Sequence, residues 1–187
     1  NNEDIRYSDG AEIIDNNFLR VNDFCMEEID YYLEQSNLHL ILKLHPYEEE
    51  YFRGIATLSS NITIISSDEL TQKNIDLNQL LSLVDILITD YSSIYLDYLI
   101  LNKPLIFLVP DVDAYSSARG GFTLEPFDFW TPGDKVSCQR SLLNSINKII
   151  TGNDEYAEKR NQINLIINKY SDANNSQRVI ELMKSLS

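Results

Sequence analysis

"DILITDYSSIYLDYLILNKPLIFLVPD", residues 85–111, holds two short apolar runs, 86–88 and 105–109, each followed by polar residues at its carboxyl end. Between them Ile94, Tyr98 and Leu101 recur at i, i+4 and i+7, the spacing of one helical face. Strand, helix and strand in succession read as a crossover unit. Strands this continuously apolar are buried on both faces, which parallel sheets require and half-solvated antiparallel sheets do not. The first run ends in Thr89, Asp90, Tyr91, Ser92 and Ser93, and the second in Pro110 and Asp111.

The same alternation extends upstream. "DFCMEEIDYYLEQSN" places Phe24, Ile29, Tyr32 and Leu33 at helical spacing, and "LHLILKLHP" follows as a buried strand closed by Pro46. "YEEEYFRGIATL" reads as a helix, "NITIIS" as a short strand, and "DLNQLLSLV" as a helix capped by Asp76. The pattern predicts an α/β domain, a Rossmann-like doubly wound parallel sheet with helices on both faces. Residues 111–134, with Gly120, Gly121, Pro126, Pro132 and Gly133, show neither period and are expected to form a long loop. Three amphipathic helices are expected after it, the last packing through Val179, Ile180, Met183 and Leu186.

The chain has 187 residues, enough for one domain and marginal for two. Its 43% hydrophobic and 24% charged content is that of an ordinary globular protein. A formal charge of −14 disfavours a non-specific grip on nucleic acid or on an anionic membrane surface. Cys25 and Cys138 fit no metal-ligand or redox spacing, so a reduced, cytoplasmic setting with buried thiols is the simplest reading. No apolar stretch approaches the ~18–20 residues of a membrane span. The chain opens on a polar segment, "NNEDIRYSDGAEIIDNN", without a strand signal, as an excised piece of a longer protein would.

Ligands of open α/β sheets bind beyond the carboxyl ends of the strands. Thr89, Asp90, Ser92 and Ser93 sit at such an end, where hydroxyls and helix N–H groups suit phosphate. Local helix capping is the competing explanation. His45 ends an earlier strand, with Pro46 behind it and Lys43 just before. Its near-neutral pKa suits a proton donor or a charge stabiliser, and a structural histidine is the alternative. His39, at the start of that strand, belongs at the opposite edge of the sheet.

Taken in order, "LKLHP", "DILITDYSSIYLDYLILNKPLIFLVPDVDAYSSARGGF", "TPG" and "SDANNSQRV" resemble the CDP-glycerol glycerophosphotransferases, the teichoic-acid and capsule polymerases, over residues 38–186. The resemblance implies the C-terminal, donor-binding half of a two-domain GT-B enzyme. It matches His45 to the histidine facing the donor pyrophosphate, and Ser92 and Ser93 to the hydroxyls that hold it. Arg119 and Gly120 match the arginine and glycine of a Y-x3-R-G segment that begins at Tyr115. An arginine there presents a forked, permanent charge to phosphate. Asp172, Ser176 and Arg178 match a D-G-x-x-S-x-R stretch, with Ala173 standing where glycine is usual and with capping of the last helix by Ser176, Asn174 or Asn175 as the alternative.

By the resemblance, an acceptor hydroxyl attacks the distal phosphorus of CDP-glycerol or a related CDP-polyol and CMP leaves. His45 and Arg119 would be catalytic, and Pro46, Thr89, Asp90, Ser92, Ser93, Gly120, Asp172, Ser176 and Arg178 would bind substrate. No cofactor and no tightly bound metal are expected, the nucleotide being a substrate. The polymer or lipid-linked acceptor is expected on an N-terminal domain missing from this chain. The whole protein is expected to be cytoplasmic and peripheral on the membrane's inner face. A nucleotide-sugar transferase and a non-catalytic binding module are the alternatives.

Overall fold

The computed structural model describes residues 16–49, 51–52 and 59–186. Helix α1 (Met26–Gln35) turns Ile29 and Leu33 inward, one helical turn apart as their spacing predicts. Strand β1 (Leu40–Leu42) and the single-turn helix α2 (Pro46–Glu49) follow. Most of the remaining helix expected over 47–58 lies outside the described residues. Strand β2 (Ile62–Ile64) pairs in parallel with β1, Leu40 beside Ile62 and Leu42 beside Ile64. Helix α3 (Ser67–Gln72), absent from the sequence expectations, starts at a capping box made by Ser66 and Glu69. Helix α4 (Leu77–Leu83) starts at Asp76 as expected, the Asp76 carboxylate accepting the N–H of Asn78 at 2.7 Å.

The quoted stretch folds as its periodicity implies. Strand β3 (Leu87–Thr89), helix α5 (Ile94–Tyr98), a 3-10 turn (Leu99–Leu101) and strand β4 (Leu105–Leu108) form a parallel crossover unit. The expected loop over 111–134 is corrected by helix α6 (Val112–Arg119), the single turn α7 (Phe127–Trp130) and the start of strand β5 (Asp134–Val136). Helix α6 (VDAYSSAR) has few apolar residues and α7 is a single turn, so neither offers a run long enough for a periodicity reading to find. Gly120, at φ +74°, ends α6 in the left-handed conformation that glycine adopts at least cost. Lysines close the carbonyl end of α7: Lys135 Nζ donates to the Thr131 carbonyl and Lys159 Nζ to that of Asp128. Strand β5 was missed because two of its three residues are charged; its register on β4, Ile106 beside Asp134 and Leu108 beside Val136, makes it a strand.

The three-stranded sheet runs β3-β4-β5, all parallel, and β4 shows why it is covered on both faces. Leu105 and Phe107 point to a core of Leu81, Tyr95, Tyr98, Leu99 and Ile163. Ile106, between them, points the other way, to Val136, Leu142 and Ile146. Leu19, Tyr32 and Leu38 pack against that second core, tying the first third of the chain to the sheet. Full burial of such side chains contributes about 1.5–3 kcal/mol each. The architecture is therefore the expected one, parallel strands flanked by helices on both faces.

Helices α8 (Gln139–Ile150) and α9 (Ala157–Ile167) supply much of that cover, and α10 (Asn175–Ser185) ends the chain. The packing stripe expected of the last helix is not packed: Val179, Ile180, Met183 and Leu186 are 52–80% exposed. Amphipathic spacing reports a face fit for burial and does not supply the surface that buries it. Among the described residues no helix is long and apolar enough to cross a membrane. The two thiols, expected buried, are free and only partly covered.

Among the described glycines Gly133 makes the tightest contact. A Cβ there would stand 2.3 Å from the carbonyl oxygen of Leu105, a main-chain atom of the central strand that cannot step aside. Gly133→Ala is expected to destabilise the chain by about 1–3 kcal/mol through forced displacement of β4 from β5. A denaturant midpoint matching the parent protein would contradict that.

Candidate functional site

Two strand ends carry the residues singled out from the sequence. Beyond β1, the His45 carbonyl accepts the N–H groups of Glu48 at 2.8 Å and Glu49 at 3.2 Å, so His45 occupies the cap position of α2. Pro46 fits the first helical position because its ring fixes φ and no N–H is needed there. The imidazole is exposed. Lys43 Nζ donates to Glu49 Oε1 at 2.7 Å and to the Leu44 carbonyl at 2.8 Å. The same Glu49 oxygen accepts the N–H and hydroxyl of Ser67, each at 3.0 Å. Burial opposes ionisation of Glu49, but Lys43 and Ser67 outweigh it and hold the carboxyl below its usual range. This node pins α2 to α3 and so fixes the chain on which His45 stands. His39, as expected, lies at the other end of β1, its Nε2 2.7 Å from the Thr63 hydroxyl.

Beyond β3, Thr89 is buried and Asp90 exposed. Asp90 Oδ1 accepts the Ser92 N–H at 2.8 Å, turning the chain out of the strand. Capping accounts poorly for the two serines. Ser92 Oγ reaches the Ile94 N–H only at 3.5 Å, and Ser93, at the cap position of α5, makes no side-chain cap bond. Both are exposed. Since α5 is five residues long, its dipole is weak, and phosphate recognition at this end falls to hydroxyls and cations more than to the helix itself.

Sequence reasoning missed what Tyr91 does. Its ring stacks on Tyr115 of α6, with centroids 3.8 Å apart and planes 18° apart, and its hydroxyl donates to Asp111 Oδ1 at 2.8 Å. Burial first, and then the Asp111 carboxylate, push the phenol well above its usual pKa, so it stays a donor. Phe122 and Phe127 extend the cluster, their rings 4.4 Å apart. Arg119, exposed on the last turn of α6, holds its guanidinium carbon 5.7 Å from the centre of the Tyr115 ring. A helix over 112–119 would have placed Tyr115 and Arg119 on one face from the sequence alone. Gly120 follows directly, turning the chain away.

The tail group forms its own network. Arg178 binds Asp172 Oδ2 at 2.6 Å and Asn175 Oδ1 at 2.9 Å, and lies 3.9 Å over the Tyr170 ring. Asp172 also accepts the Asn174 N–H at 3.2 Å; led by the bond from Arg178, its carboxyl is lowered to about 2. Asn174 stands at the cap position without a side-chain cap bond, and Ser176 is exposed on the first turn of α10. Ala173 is not among the residues with positive φ, so this turn does not need the glycine usual there. Among the described residues no group of three or more His, Cys, Asp or Glu is arranged to hold a metal.

A family model described as CDP-glycerol:poly(glycerophosphate) glycerophosphotransferase matches residues 12–185. The chain is 32% identical over 171 residues to the teichoic acid glycerol-phosphate primase of Bacillus subtilis (strain 168), covering 87% of this chain and 39% of that protein. It is 28% identical over 156 residues to the teichoic acid ribitol-phosphate polymerase TarL of Staphylococcus aureus (strain NCTC 8325 / PS 47), covering 82% of this chain and 25% of that one. The chain thus spans well under half the length of these relatives. The solved structure of the wall teichoic acid polymerase TagF matches with a TM-score of 0.63 at 22% identity, over 89% of this chain and 39% of that chain, a likeness of fold. A family match over this much of the chain means that the chain belongs to the CDP-glycerol:poly(glycerophosphate) glycerophosphotransferase family.

Proposed function

We propose that this chain is the donor-binding domain of a glycerophosphotransferase that moves polyol phosphate from a CDP-activated polyol to a growing teichoic-acid-type polymer. The observation that carries the reading is the exposed hydroxyl pair Ser92 and Ser93 beside a stack, Tyr91 on Tyr115, that draws the Arg119 helix to the same strand end. A pyrophosphate is the ligand such a group suits: hydroxyls for its oxygens and a forked cation for its charge. Relatives named as a teichoic acid glycerol-phosphate primase and a teichoic acid ribitol-phosphate polymerase, and a TagF variant soaked with CDPG, support the choice of donor.

In the reaction, an acceptor hydroxyl oxygen bonds to the phosphorus bearing the polyol, and the bond from that phosphorus to the bridging oxygen breaks. CMP leaves with the electron pair, and the hydroxyl proton passes to a base in the acceptor-binding half. Charge gathers on the bridging oxygen, where Ser92, Ser93, Arg119 and His45 act by fixed dipoles and positive charge, the usual catalysis of phosphoryl transfer. Thr89, Asp90 and Gly120 shape the cradle, Pro46 sets the His45 turn, and Asp172, Ser176 and Arg178 take the nucleoside side. The acceptor binds a second domain, in a GT-B arrangement on the inner face of the membrane.

The test is the intact protein with CDP-glycerol and a lipid-linked glycerol phosphate acceptor, followed by CMP release. Acceptor-dependent release is expected. Ser92→Ala with Ser93→Ala should weaken donor binding by at most about 3–6 kcal/mol, two hydrogen bonds to a charged group at about 1.5–3 kcal/mol each, and by less where water takes their place. Unchanged affinity in a cooperatively folded double variant would remove the phosphate role from the strand end.

A further inference from the structure

We propose that Tyr91 is a positioning residue, setting the Arg119 guanidinium relative to the strand-end serines through the stack Tyr91–Tyr115–Arg119; this rests on the donor-cradle reading above. Three observations join. Tyr91 stands between Asp90 and Ser92, so its backbone is fixed by the turn that the Asp90 carboxylate makes with the Ser92 N–H. Its side chain then grips α6 at two points: the hydroxyl on Asp111, the residue just before the helix, and the ring face on Tyr115, at the end of the first turn. Arg119 lies one turn further along, with its guanidinium within cation–π reach of the Tyr115 ring.

Helix α6 has no fully buried residue, so partly covered contacts hold it in place. Its hold on the sheet comes from Val112, packed on the first core, and from this aromatic contact. The residue type follows from both duties. Phenylalanine would keep the stack and leave Asp111 without its donor; an aliphatic residue would lose both. Phe122 and Phe127 pack their rings against Tyr91 and against each other, and Phe122 also stacks on Tyr115, extending the aromatic contact that holds α6.

A double-mutant cycle on the intact protein separates positioning from general support of the fold. Calorimetric Kd values for CDP-glycerol are measured for the parent, Tyr91→Leu, Arg119→Ala and the combination, with melting curves for each. Tyr91→Leu is expected to raise Kd about tenfold, and Tyr91→Phe about two- to fivefold, the loss of one ordinary hydrogen bond. In the Arg119→Ala background Tyr91→Leu should raise Kd no further, because the group it positions is gone. Should Tyr91→Leu unfold the chain, the same cycle is run with Tyr91→Phe and Asp111→Asn, which keep the ring. Additive effects, or no effect of either Tyr91 variant, would overturn the inference while leaving the cradle standing. An unchanged Kd in Arg119→Ala alone would instead remove Arg119 from the cradle, and the inference with it.

Discussion

His45→Ala in the intact protein is expected to lower kcat/KM for CDP-glycerol by about 10²–10⁴-fold, the usual range for a positioned proton donor or charge stabiliser. The His45 backbone carbonyl accepts the N–H groups of Glu48 and Glu49, and alanine keeps that carbonyl. The turn is held besides by Lys43, Glu49 and Ser67, none of them touched. KM should change much less than kcat, since the imidazole acts on charge that develops as the bridging bond breaks. Steady-state kinetics beside a melting curve checks it; near-parent turnover would leave His45 a cap residue and nothing more.

Asp154→Ala is expected to destabilise the fold by about 3–5 kcal/mol, the cost of stripping a buried ion of its partner. Arg160 is 1% exposed, and its two terminal nitrogens grip the Asp154 carboxylate, one at 2.8 Å. The second also reaches the Asn102 carbonyl at 3.2 Å, tying α9 to the end of the 3-10 turn. Among the described residues Arg160 Nε is buried without a hydrogen-bond partner, so the carboxylate is the main compensation for the charge. Arg160→Met should cost less, because it removes the charge along with the pairing. The Arg160 bond holds the Asp154 carboxyl below its usual pKa. The pair's contribution is therefore present above the unfolded carboxylate pKa of about 3.9 and is lost as pH falls through the lower folded value. Denaturant unfolding of the variants at neutral pH and across the acid range measures both effects; an Asp154→Ala chain as stable as its parent would contradict them.

The sequence revealed most where one physical rule acted alone. Continuous apolar runs marked β3 and β4, helical spacing marked α1 and α8, and Asp76 marked the start of α4. Strand β5 and helix α6 escaped because tertiary partners make them. Asp134 and Lys135 join a sheet through their register on β4, and α6 is held by a tyrosine from another element. Helix α3 was legible after all, in the Ser66 and Glu69 capping box. The motif series marked His45, Ser92, Ser93 and Arg119 as residues to watch, but their spacing says nothing of Tyr91, whose importance appears only when residues 91, 111 and 115 meet in space.

The most direct test of the central claim is a donor titration of the intact protein with CDP-glycerol, CDP-ribitol, UDP-glucose and CMP, repeated with Ser92→Ala and Ser93→Ala together. A pyrophosphate cradle in a protein of net charge −14 must concentrate its few cations, so binding should also weaken as salt rises. The account predicts that a CDP-polyol binds most tightly, that CMP, lacking the second phosphate, binds less well, and that the double variant loses the difference between them. Preference for UDP-glucose, or a double variant that still separates CDP-glycerol from CMP as the parent does, would contradict it.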